Sequence, residues 1–92
     1  MSMGWNACRA LRRAVADLAR VIAIEAVCAA EAVELRGIEP GAATRAAIGA
    51  LRAEIARMDV DRFLAPDLAA AERLVMGGDV LRAVEAVSGT LQ

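Results

Sequence analysis

The sequence contains no histidine, lysine or tyrosine, and its serines and threonines are only Ser2, Thr44, Ser88 and Thr90. General-base and nucleophile chemistry is thereby confined to carboxylates and two cysteines. No zinc-type ligand cluster can be assembled, because there is no imidazole and Cys8 and Cys28 stand far apart in the chain. A strong charge of either sign is also lacking. Eleven arginines oppose twelve carboxylates for a net charge of −1, so no basic face exists for phosphate neutralisation and nucleic acid is not an expected partner. The one basic cluster, Arg9, Arg12 and Arg13, reads with Asp17 and Arg20 as a solvated helix stripe.

Absences extend to motifs. Gly77-Gly78 has neither the preceding strand nor the following lysine of a phosphate loop. Asp59, Asp61 and Asp67 lack the glycine and terminal glutamate of a calcium loop, and capping or turn roles suit them better. The N-terminal stretch is broken by Arg9, Arg12, Arg13 and Asp17 where a signal peptide needs a continuous apolar region. A cytoplasmic chain is the expectation.

What the chain does have is apolar residues. They make up 59% of 92 residues, and with the glycines reach about two-thirds, against about half in a typical soluble domain. A chain this short hides only about 60 to 65% of its unfolded surface by itself, so the surplus favours burial against a partner.

From Asn6 to Arg36 there is no Pro or Gly, and Arg9, Arg13, Asp17 and Arg20 recur every three or four positions, which predicts one long helix. Its stretch Val21 to Ala30 carries Glu25 as the only charge and reads as an apolar girdle enclosed on all sides. A membrane span is the rival, but it requires about 20 apolar residues and charges at Arg20, Glu25 and Glu31 halve that run. The carboxyl of Glu25 should titrate high in such surroundings unless an arginine such as Arg20 or Arg45, or one across the bundle, satisfies it. Cys8 and Cys28, about 30 Å apart on one helix, are beyond disulfide reach and read as small core residues. A helix of about 31 residues spans about 46 Å, whereas a compact chain of this length has a radius of gyration near 12 Å. The helix should therefore overhang its own domain.

Gly37 suits the position after a helix, and Ile38-Glu39-Pro40-Gly41 a turn. A second helix is expected over 42–58, with Ile48, Leu51, Ile55 and Met58 as its apolar stripe. A third is expected over 66–76, opened by Pro66 and Asp67, and a fourth over 79–88 with Asp79 as N-cap. No strand pattern occurs. The fold class is all-α, one long helix followed by three shorter ones, in a bundle completed by other chains.

Four pieces in order carry a family resemblance. They are Ser2-Met3-Gly4 opening a long helix, Val21-Ile22-Ala23-Ile24-Glu25 running on to Cys28-Ala29-Ala30, Gly41 with Thr44-Arg45, and Asp61-Arg62-Phe63-Leu64-Ala65-Pro66-Asp67-Leu68 followed by Leu74-Val75. Together they resemble the C-terminal portion of the aromatic amino acid ammonia-lyases, the histidine, phenylalanine and tyrosine lyases and related aminomutases. The resemblance spans nearly the whole chain, and the Asp-Arg-x-Leu-Ala-Pro-Asp run is its most specific piece. It implies a place in a homotetramer built around long helices, with Val21, Ile22, Ile24, Glu25, Val27 and Cys28 at the oligomer interface. It implies that Ser2, Met3 and Gly4 border an active site contributed mainly by another chain. The family's electrophile, a 4-methylidene-imidazol-5-one group, forms from an internal Ala-Ser-Gly. None occurs here, and Tyr is absent too, so the group would come from another chain and no residue here is expected to be catalytic. By the resemblance the chain begins just after the last active-site motif. That leaves three expectations: a small subunit completing a separately encoded lyase-like large chain, a free-standing descendant kept for helical association, or the tail of a split gene. The alternative function is a stand-alone helical homo-oligomer with a scaffold role.

Overall fold

A computed structural model describes residues 2–58 and 61–89, with side chains from Met3 onward. Four helices follow one another: α1 (Ser2–Arg36), α2 (Ala42–Arg52), α3 (Ala65–Met76) and α4 (Asp79–Ser88). There is no strand among the described residues.

α1 runs unbroken because alanine is its commonest residue and its one glycine, Gly4, lies in the first turn. It stops at Gly37, whose φ of +68° only glycine adopts freely and whose N–H bonds the Glu34 carbonyl at 3.2 Å. α2 ends at Arg52, short of the 42–58 span expected from its apolar stripe. The physical reason is competition for backbone groups. The Arg52 guanidinium takes the carbonyls of Ile55 and Ala56, and Glu31 takes the N–H of Met58, so the chain turns away while Ile55 still reaches the core at 1% exposure. α4 also departs from expectation at its start. Its N-cap is Gly78 in a left-handed conformation, φ +82°, and Asp79 sits inside the first turn, where its carboxylate complements the positive helix end.

The core is made of small residues. Ala23 and Ala30 of α1, Ala70, Ala71 and Leu74 of α3, and Leu51 and Ile55 form one buried cluster, with Val27, Ile48, Val75 and Val80 against it. α1 packs on α3 and α2 on α4. The alanines let α1 and α3 approach closely, so there is little volume for a large core.

The molecule is elongated, 55 × 36 × 19 Å, with a radius of gyration of 15.8 Å rather than the roughly 12 Å of a compact chain. At 35 residues, α1 is about 52 Å long, and every side chain from Met3 to Val15 is exposed. The overhang expected from length alone is present.

Candidate functional site

Two features stand out where α1 meets the stretch after α2. The first is a cluster of charges. Arg52 Nε donates to Glu34 Oε1 at 2.7 Å and its Nη2 to Glu31 Oε1 at 2.8 Å, while Arg57 Nε lies 3.2 Å from Glu34 Oε2. The side chains of Arg52 and Glu31 are only 16% and 18% exposed, so this pairing is better shielded than an ordinary surface bridge. The Met58 amide donates to Glu31 Oε1 at 2.9 Å. That bond above all, against the opposing effect of burial and with help from Arg52 and the charge of Arg57, holds the Glu31 carboxyl below the usual carboxylate range. Burial would push the Arg52 guanidinium down, but the hydrogen bonds to Glu34 and Glu31 outweigh it and its pKa is raised.

The second feature explains the Asp61–Asp67 run. Arg62 Nη2 donates to the Ala56 carbonyl at 2.6 Å, Nη1 to the Arg57 carbonyl at 3.0 Å, and Nε to Asp67 Oδ2 at 2.8 Å. Asp67 stands in the first turn of α3. One guanidinium thus ties the end of the α2 turn to the start of α3, a fork geometry that lysine cannot reproduce. Asp61 is exposed and Asp59 lies outside the described residues. Among the described residues no group of three ligating side chains could hold a metal ion.

Between α1 and this tied segment runs an apolar groove of about 420 Å³, walled by Ile24, Cys28 and Leu35 on one side and by Ile55, Met58 and Leu64 on the other. Beside it the girdle is open. Ala23 and Ala30 face the core, but Val21, Ile22 and Ile24 are 50%, 44% and 44% exposed, and Glu25 and Cys28 are exposed as well. The girdle is therefore covered on one face by its own chain, not on all sides. Val27 is half-buried against that core and does not share the open face. Cys8 and Cys28, expected in the core, are both exposed free thiols, because the core face of α1 is taken by alanines. Arg20 turns to Asp17 and Glu72, and Arg45 to Glu39, so neither arginine expected beside Glu25 pairs with it.

At the tip of the overhang, Met3 is 82% exposed and Gly4 has open space around it. Trp5 and Phe63, the chain's two aromatic residues, are 66% and 80% exposed. Sequence reading gave neither the aromatics nor Arg52 a role. The aromatics carried a signal nonetheless, since an aromatic beside a charged cluster or in an overhanging helix has no core to enter. Chemically, the shielded carboxylates of the arrangement are engaged by arginines. It offers apolar surface for another helix.

Residues 1–53, which hold α1 and α2, match the family model for aromatic amino acid lyases. The chain belongs to the aromatic amino acid lyase family. This lyase-family chain is 50% identical over 95 residues to the histidine ammonia-lyase of Streptomyces griseus, covering 99% of the chain and 18% of that protein. It is 48% identical over 93 residues to the histidine ammonia-lyase of Symbiobacterium thermophilum and 38% over 92 residues to that of Gloeobacter violaceus, covering 100% and 99% of the chain. The chain spans about 18% of the length of these relatives. No solved structure matches it. The Arg62–Asp67 tie lies beyond the family-model match but inside the stretch shared with the relatives. No helix among the described residues is long and apolar enough to cross a membrane.

Proposed function

We propose that this chain is the non-catalytic, helical C-terminal portion of an ammonia-lyase assembly, and that the complete enzyme eliminates ammonia from histidine. The observation that carries the reading is similarity to histidine ammonia-lyases along the entire chain, joined to the absence within it of the residues that form the family's electrophile. There is no Ala-Ser-Gly and no Tyr, so these residues do not fit the formation of a 4-methylidene-imidazol-5-one group. A lyase polypeptide supplies that group and the substrate pocket. Ser2, Met3 and Gly4 border that pocket, and Val21, Ile22, Ile24, Glu25 and Cys28 meet neighbouring helices. A cytoplasmic setting goes with this reading.

Co-expression tests it. The chain is produced with a histidine ammonia-lyase polypeptide cut back to the point where the similarity starts. The two are expected to co-purify and to release ammonia from histidine, while either alone releases none. Ammonia release by the chain alone, or failure to co-purify, overturns the proposal. A scaffold made only of copies of this chain is the second reading, favoured by the open apolar face of α1. A monomer in light scattering at micromolar concentration removes it.

A further inference from the structure

Charged side chains, rather than main-chain pairing, hold the turn that follows α2. Ala53, Glu54 and Ile55 keep backbone hydrogen bonds to Gly49 and Leu51, but beyond Ile55 no backbone–backbone bond holds 56–58 among the described residues. The Ala56 carbonyl accepts from Arg52 Nη1 at 3.2 Å and from Arg62 Nη2 at 2.6 Å. The Arg57 carbonyl accepts from Arg62 Nη1 at 3.0 Å, and the Met58 amide donates to Glu31 Oε1 at 2.9 Å. Burial adds little. Ile55 anchors the start of the turn in the core, whereas Ala56 and Arg57 are exposed and Met58 is half-buried. A segment with few apolar contacts and no main-chain ladder belongs to the part of a fold that opens locally at low cost.

The charges around this turn are sorted by side. The carboxylates stand on helices, Glu31 and Glu34 on α1 and Asp67 on α3, while the guanidiniums belong to Arg52 at the end of α2, Arg57 in the turn and Arg62 after it. Acid therefore discharges one side only. Once the carboxyls are protonated, three positive charges are left around one short turn, and the charge-assisted bonds weaken to ordinary ones. The helices do not share this dependence. Their own bonds are between main-chain groups, α1 meets α3 in the core through alanines, and the Arg20–Glu72 pair between them is a surface bridge of small worth.

We propose that 56–58 is a strap latched by charge, which pivots at Ile55 and leaves α1 when Glu31 and its neighbours take up protons, before any helix melts. Glu31 is the centre of the latch. Its Oε1 accepts from both Arg52 Nη2 and the Met58 amide, so a single oxygen joins α1, α2 and the strap. Because that carboxyl is held below the usual range, the latch is closed at neutral pH, and release falls below the unfolded carboxylate value of about 4.3. The structural consequence reaches the apolar groove. Met58 and Ile55 form part of one wall, facing Cys28 and Leu35 of α1, so release of the strap takes Met58 out of the wall and flattens the groove. The strap concerns contacts within this chain and does not rest on the lyase reading.

Residue-resolved hydrogen exchange by NMR on the full chain tests it, with each rate divided by that of an unstructured peptide at the same pH. Between about pH 6 and about pH 3 the Met58 amide is expected to lose protection several-fold, while the amides of Ala23 and Val27 in α1 keep theirs and circular dichroism shows unchanged helical content. Glu31→Gln imitates the protonated carboxyl. In that variant Met58 is expected to be weakly protected already at the upper pH and to respond little to acid. Full protection of Met58 at the lower pH overturns the proposal, and so does loss of protection by Met58 and α1 together. An undiminished acid response in Glu31→Gln also overturns it. The titration of the unmodified chain decides the matter by itself if that variant does not fold.

Discussion

Arg52 is the residue on which the local path of the chain turns. It reaches two carboxylates on α1 and two carbonyls of its own following turn. Arg52→Ala leaves Glu31 and Glu34 shielded beside each other with one arginine fewer, and should lower folding stability by about 2 kcal/mol, read from urea unfolding. Arg52→Lys should recover only part of the loss, since an ammonium cannot span the fork. Glu31 adds a pH dependence whose sign follows from its lowered pKa. Its contribution is complete above the unfolded carboxylate value of about 4.3 and disappears as pH falls through the lower folded value. The urea midpoint of the parent should therefore drop on acidification below that value, with a shallower drop in Glu31→Gln. None of this was legible beforehand. Helical spacing placed Arg52 away from the apolar stripe, and only the return of the chain past α1 turned a solvated position into a shielded one.

Helices were easier to anticipate than their ends. The long run without Pro or Gly and the stops at Gly37 and Gly77-Gly78 are local signals, set by backbone sterics that act wherever the segment lies. The end of α2 is not local. Ile55 belongs to the apolar stripe and is buried, yet the backbone there is no longer helical, because side chains from α1 and α2 claim its hydrogen-bonding groups. The two glycines between α3 and α4 serve different needs. Gly78 holds a positive φ, whereas at Gly77 an added Cβ would stand 2.8 Å from the Arg73 carbonyl oxygen. Gly77→Ala should cost about 1 to 2 kcal/mol through strain at the α3 terminus, seen as a lower melting temperature with helical content at low temperature preserved.

Taken whole, the molecule is a long helix with a small alanine-rich core on one side. Among the described residues eight form the buried hydrophobic set, five of them alanines of α1 and α3, so the isolated chain has modest stability of its own. The association proposed above would add to it. The midpoint of thermal unfolding should rise as the concentration of the chain rises, because a partner that binds only the folded state stabilises it by mass action. A midpoint independent of concentration from low to high micromolar would contradict that expectation.

Composition and periodicity by themselves determined that this protein is all-α, that it carries more apolar surface than its length can bury, and that it lacks the side chains for most chemistry. Those are properties of residue counts and helical spacing, which do not depend on what packs against what. The order of motifs also placed it near the aromatic amino acid lyases, which the family match bears out. Tertiary structure alone decided which face of α1 the chain keeps for itself. Val21 and Ala23 are equally apolar neighbours in sequence, yet one is 50% exposed and the other 1%. The difference arises because α3 offers alanines on one side only, and close approach between helices rewards small residues there and leaves the larger ones outside.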